Sequence, residues 1–81
     1  MLKSSNKSIG LLGGSFDPVH KGHLIISKIA LKKMKLDQIY WLITKKNPFK
    51  NKVHFSLTAR ISLAEKATKN LKKIKVLYLD K

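Results

Sequence analysis

Two histidines three positions apart, His20 and His23, follow a pair of glycines in the run Gly13-Gly14-Ser15-Phe16-Asp17-Pro18-Val19-His20-Lys21-Gly22-His23-Leu24. Residues at i and i+3 share one face of a helix, so both imidazoles reach the same ligand. Imidazole N–H groups donate to phosphate oxygens and stabilise the charge that shifts onto them during transfer. The apolar stretch Ile9 to Leu12 precedes the run, and a helical pattern from Ile25 to Met34 follows it. A strand, a glycine turn and a helix N-terminus bring backbone N–H groups and the positive end of the helix dipole to one point, which suits an anion. These residue types at this spacing point to chemistry on a nucleotide phosphate.

Gly13 and Gly14 let the backbone approach a phosphate, since no Cβ intervenes, and they permit unusual φ in the turn. Ser15 and Phe16 can present backbone N–H groups, and Ser15 adds a hydroxyl. Taken alone, a Gly-Gly turn also reads as a ligand-free connection; the adjacent histidine pair argues for a site. Gly22 keeps the face between the histidines uncrowded. A zinc pair on a helix is usually spaced i, i+4 and needs further ligands, which a chain with no cysteine and four acidic residues hardly supplies, so no metal site is assigned. Asp17 either caps the coming helix or organises the turn through Asx-type bonds. A role as general base is less apt, since phosphoryl transfer asks little covalent help of the protein. Lys45, Lys46 and Lys50 follow the second strand at the same end as the glycine turn, either as phosphate contacts or as a solvated loop. Tyr40 and Trp41 read as core rather than as base-stacking groups.

The elements that must position these residues read as strand, helix, strand, helix, strand. Ser8 to Leu12 is a short strand and Gly13 to Pro18 a turn. A helix runs from His20 to about Lys35, with a wide apolar face of Leu24, Ile25, Ile26, Ile29, Ala30, Leu31 and Met34. The unbroken run within Gln38 to Thr44 predicts a strand buried on both faces. Lys45 to Phe55 is a loop marked by Asn47-Pro48. A second helix spans about Ser56 to Asn70, its stripe being Leu57, Ile61, Ala64 and Leu71, and Ile74 to Leu79 is a third strand. The expected fold is α/β: a partial Rossmann-like three-layer arrangement, with a parallel sheet in βαβαβ order and right-handed crossovers. Doubly wound folds normally continue to five or more strands, so residues 1–81 are expected to form the first part of such a domain.

Eighty-one residues suffice for one small domain. The absence of cysteine excludes disulfides and thiolate metal sites and fits a reducing compartment. No apolar run reaches the roughly 20 residues that span a bilayer, and the N-terminus makes a poor signal peptide. A cytoplasmic protein without membrane contact is the expectation. The net charge of +14 suits a phosphate-rich partner, yet only Arg60 among the 18 basic residues is arginine, and the lysines scatter. A nucleic-acid surface is therefore not expected.

The twelve-residue run resembles the signature of the nucleotidyltransferases with an HxGH motif. Within that superfamily it is most similar to the bacterial nicotinate-nucleotide adenylyltransferases, GG(S/T)FDPVHxGHL. Pantetheine-phosphate adenylyltransferases usually have threonine where His20 stands, and cytidylyltransferases typically have leucine in place of Pro18. The Trp41-Leu42-Ile43 strand, then Asn47-Pro48-Phe49-Lys50, then a helix carrying Arg60 follow the order of that family. The resemblance implies transfer of an adenylyl group from ATP to nicotinate mononucleotide, giving deamido-NAD and pyrophosphate with Mg²⁺ assisting. It implies catalytic roles for His20 and His23, a nucleotide site lined by Gly13, Gly14, Ser15, Phe16, His20, Gly22 and His23, and a loop near the substrates containing Lys50. The family's second phosphate-binding motif, a serine/threonine stretch ending in arginine, is absent. That leaves two expectations: a chain completed by a separate C-terminal half or by self-association, or a truncated, non-catalytic remnant that keeps the phosphate-binding turn.

Overall fold

The computed structural model describes residues 7–45 and 55–79. Along them β1 (Ile9–Gly14) is followed by α1 (Lys21–Lys33), β2 (Gln38–Thr44), α2 (Leu57–Ala67) and β3 (Ile74–Leu79). The strands form one parallel sheet in the order β1-β2-β3, with Ile9 opposite Gln38 and Ile39 opposite Ile74. The α/β class and the βαβαβ order are as expected, and β2 and β3 have the expected bounds. Among the described residues no helix is long and apolar enough to cross a membrane.

Both helices pack on one face of the sheet, as right-handed crossovers that step the same way across it require. Ile39, Trp41 and Ile43 of β2 point to that face and join Phe16, Ala64 and Ile74 in the core, flanked by Leu24, Ala30 and Leu31 of α1 and by Leu57 and Ile61 of α2. This corrects the reading of β2 as buried on both faces. Burial alternates along it, with Tyr40 and Leu42 only half-buried on the far face. There Leu11 is 68% and Leu77 45% exposed. An unbroken apolar run shows that a strand could be covered twice, while the path of the crossovers decides whether it is. The apolar face of α1 is also narrower than expected: Ile25, Ile26, Ile29 and Met34 are exposed.

The elements end where local hydrogen bonds stop them. α1 closes at Lys33 with Met34 as C-cap; Lys35 takes a left-handed φ of 50°, and the Leu36 N–H donates to the Leu31 carbonyl at 3.0 Å. This is the Schellman pattern. The Ser8 N–H then donates to Asp37 Oδ2 at 2.8 Å, and the Asp37 N–H returns to the Ser8 carbonyl, which sets β2 beside β1. α2 starts at the N-cap Ser56, whose Oγ accepts from the Ala59 N–H at 3.2 Å. It stops at Ala67, short of the expected Asn70, where the Thr68 hydroxyl donates back to the Ala64 carbonyl. Leu71 thus lies beyond the helix, though it still packs on the core.

Candidate functional site

Parallel strands place their carboxyl ends together, and here Gly14 of β1 and Thr44 of β2 lie side by side, the Thr44 hydroxyl donating to the Gly14 carbonyl at 3.4 Å. From Gly14 the chain turns through Ser15–Val19 into α1. Gly13 and Gly14 are the last residues of β1, paired with Leu42 and Ile43, and no glycine has a positive φ. The expected glycine turn is corrected accordingly: the left-handed residue is Phe16, with φ 50°, buried at 2% exposure. Burial of its ring holds Phe16 in a conformation that non-glycine residues rarely adopt. The Asp17–Pro18 peptide bond is cis.

His20 is the N-cap of α1, with extended φ and ψ of −146° and 177°. Its Nδ1 accepts the Gly22 N–H at 2.9 Å, while Nδ1 of His23 accepts the His20 N–H at 3.0 Å. This is a capping box made of two imidazoles in place of the usual hydroxyl and carboxylate. A nitrogen that accepts an N–H must offer its lone pair, so in each neutral ring the proton sits on Nε2. Both rings thereby become single-sided donors. Their centroids are 4.1 Å apart, and they line an open depression of about 330 Å³ with Gly14, Ser15, Phe16, Asp17 and Pro18. The structure thus brings six of the seven expected nucleotide-binding residues to one place or its rim, Gly13 lying one step back in β1. Gly22 is required by the box itself, since a Cβ there would stand 2.6 Å from Cε1 and 2.9 Å from Nδ1 of His20.

Aromatic rings support the pair from below. His23 stacks on Phe16 at 4.3 Å, and Phe16 rests on Trp41 at 5.1 Å. Burial first, and the adjacent His20 second, hold the pKa of His23 below its ordinary value of 6.5. That direction favours a neutral N–H donor over imidazolium at His23. Trp41 belongs to the core, as expected; its Nε1–H donates to the buried Ser27 hydroxyl at 2.8 Å.

Asp17 does not cap α1, because His20 does. Its Oδ1 accepts the Phe55 N–H at 2.7 Å and ties the turn to the entry of α2. Lys45 is exposed beside the site; Lys46, Lys50 and the Asn47-Pro48 pair lie outside the described residues. Among the described residues no three His, Cys, Asp or Glu side chains converge, so they form no cage for Mg²⁺.

The residue that sequence reasoning passed over is Arg60, named only for its scarcity and its place on a helix. It is 1% exposed, and its guanidinium donates to the carbonyls of Phe55 (3.1 Å), Ser15 (2.9 Å), Thr44 (2.8 Å) and Lys45 (2.6 Å). The available signal was that one arginine stands among so many lysines. Ser27 was missed as well, although a hydroxyl amid the apolar positions of a helix hints at a buried partner.

A Cytidylyltransferase-like family model matches residues 11–79. A protein of Pelagibacter ubique named probable nicotinate-nucleotide adenylyltransferase is 48% identical over 79 residues, which cover 98% of this chain and 44% of that protein. Proteins of the same name from Ruegeria sp. and Rhizobium meliloti are 54% and 43% identical, over 70% and 78% of this chain and 30% and 34% of their own lengths. The chain thus spans less than half the length of these curated relatives. On the strength of the matched span, which includes β1 from Leu11 onward, the histidine box and both crossovers, the chain belongs to the cytidylyltransferase-like family.

Proposed function

We propose that these residues form the ATP-phosphate side of a nicotinate-nucleotide adenylyltransferase. In that reaction an oxygen of the nicotinate mononucleotide phosphate attacks the α-phosphorus of ATP. The bond from that phosphorus to the bridging oxygen breaks, and pyrophosphate leaves with the electron pair. No covalent enzyme intermediate is needed; orientation and charge stabilisation supply the catalysis. The observation that carries this reading is the histidine capping box, which fixes two Nε2–H donors over the depression at the end of β1. His20 and His23 would meet charge on the phosphates as it shifts to the leaving group, and the N–H groups of Ser15 and Phe16 would hold the same anion. Mg²⁺ would travel with the nucleotide, on phosphate oxygens and water. Lys50 would contact a substrate phosphate, as the resemblance implies.

A second reading is favoured by the length comparison with the relatives. Because this chain matches less than half of their length, residues 1–81 by themselves would bind nucleotide phosphate while turning it over very slowly or not at all. Removing one transition-state donor commonly costs about 10²–10³ in rate.

Titration calorimetry with ATP and with pyrophosphate tests the site. His20→Ala, His23→Ala and Gly22→Ala should each weaken binding, whereas Lys66→Ala, on the exposed end of α2, should not. A loss in Lys66→Ala as large as in the histidine variants would show general charge attraction and no site. Robust formation of deamido-NAD by residues 1–81 alone, abolished by His23→Ala, would overturn the second reading.

A further inference from the structure

We propose that Arg60 is a positioning residue of the phosphate site: from α2, far outside the histidine run, its guanidinium aims the Ser15–Phe16 peptide so that the Phe16 N–H faces the incoming phosphate. The proposal rests on the phosphate reading above and adds to it a residue that the run does not contain. Its geometry is that of one peptide plane. In a trans peptide the carbonyl and the N–H point in opposite directions. The Ser15 carbonyl is held by Arg60 Nη1 at 2.9 Å, so the Phe16 N–H is directed away from Arg60. Phe16 and Ser15 both line the depression that the two histidines share. A carbonyl bonded to a cation also polarises its peptide, which makes the N–H at the other end a stronger donor.

The choice of arginine follows from the number of acceptors. Nη1 is shared between Ser15 and Thr44, clamping the turn after β1 to the end of β2, while Nη2 takes Lys45 and Nε takes Phe55. A planar fork reaches four fixed carbonyls together; the single ammonium of lysine does not. Among the described residues its hydrogen-bond partners are four main-chain carbonyls. A buried cation is costly unless polar groups or a nearby anion compensate it. Four carbonyl dipoles supply part of that, and an anion at the turn would supply more. Asp17 braces the same junction, through the Phe55 N–H.

The test uses the full chain labelled with ¹⁵N and inorganic pyrophosphate as the probe. Because Arg60 is the one arginine, its Nε–H gives a single assignable signal. In the unaltered protein, pyrophosphate should move the Arg60 Nε–H and Phe16 N–H signals with the same midpoint as the His20 and His23 ring signals. In Arg60→Lys, which keeps the charge and loses the fork, the Phe16 N–H should be displaced before any ligand is added, with β3 amides unchanged. Its pyrophosphate midpoint should rise about tenfold, the effect of losing one charge-assisted bond. Histidine signals that respond while Arg60 and Phe16 stay still would overturn the proposal, as would an Arg60→Lys variant with unaltered Phe16 and midpoint. If Arg60→Lys fails to fold, the co-movement in the unaltered protein decides. Histidine signals that ignore pyrophosphate would instead sink the phosphate reading itself, and the proposal with it.

Discussion

His20 and His23 each use one nitrogen to hold the fold and leave the other for a ligand. At His23 that division makes the helix start sensitive to acid, because a protonated Nδ1 would meet the His20 N–H it now accepts with a second donor. The folded pKa of His23 lies below 6.5, so between that value and 6.5 the unfolded chain binds more protons than the folded one. Stability therefore rises with pH across this window. It is fully present above the ordinary histidine value and lost as pH falls through the folded one. Thermal melts should show Tm falling from about pH 7 to about pH 5, before carboxylates titrate. His23→Ala should flatten that slope while costing about 1 kcal/mol at neutral pH through the lost cap. A wild-type Tm that is level over the window would refute the argument. That the two histidines lie side by side was legible from their spacing. Their tautomers were not, since those depend on the extended backbone at His20. Nor was the left-handed Phe16: glycines stand beside it, and nothing local says that a buried aromatic ring will impose what a glycine would permit.

Between elements, a single buried hydrogen bond joins α1 to β2. Trp41 is fully buried, and its Nε1–H has Ser27 Oγ as acceptor. In Ser27→Ala the donor would stay buried without a partner, a loss of about 1–3 kcal/mol. Urea unfolding followed by the fluorescence of this one tryptophan should show the midpoint falling with little change in slope. A loss below a few tenths of a kcal/mol would mean that another acceptor or a water replaces the serine. β2 and β3 were legible to their end residues because β-branched and aromatic side chains fill them and polar residues bound them. The end of α1 was harder to read, for its Schellman turn uses Lys35 where glycine would have signalled the stop. Which face each element buries was the least legible feature. Alternation in β2 is masked by Tyr40 and Leu42, apolar enough for either side, and three exposed apolar residues of α1, with the C-cap Met34, look like core in periodicity alone.

For the molecule as a whole, two long-range effects oppose each other. The sheet face away from the helices exposes Leu11 and Leu77, and α1 exposes Ile25, Ile26 and Ile29 beside β1, which pairs only with β2 among the described strands. Apolar surface next to an unpaired strand edge favours association. The charge of +14 opposes it, since two copies repel until salt screens them. Screening decides between the two: the Debye length shrinks from about 10 Å at ~0.1 M salt to about 3 Å at ~1 M. Apolar attraction is not weakened by that change, whereas association through ion pairs would be. Sedimentation velocity should therefore show a mass that rises with both protein concentration and salt, and Leu11→Lys with Leu77→Lys should hold the chain monomeric at high salt. A mass that falls with salt would assign the contact to charges. A strictly monomeric chain at every salt concentration, melting in one sharp transition, would mean that three strands covered on one face suffice as an independent unit. The outcome bears on the site as well, because one of the two edges among the described strands is β1, whose carboxyl end leads into the histidine box.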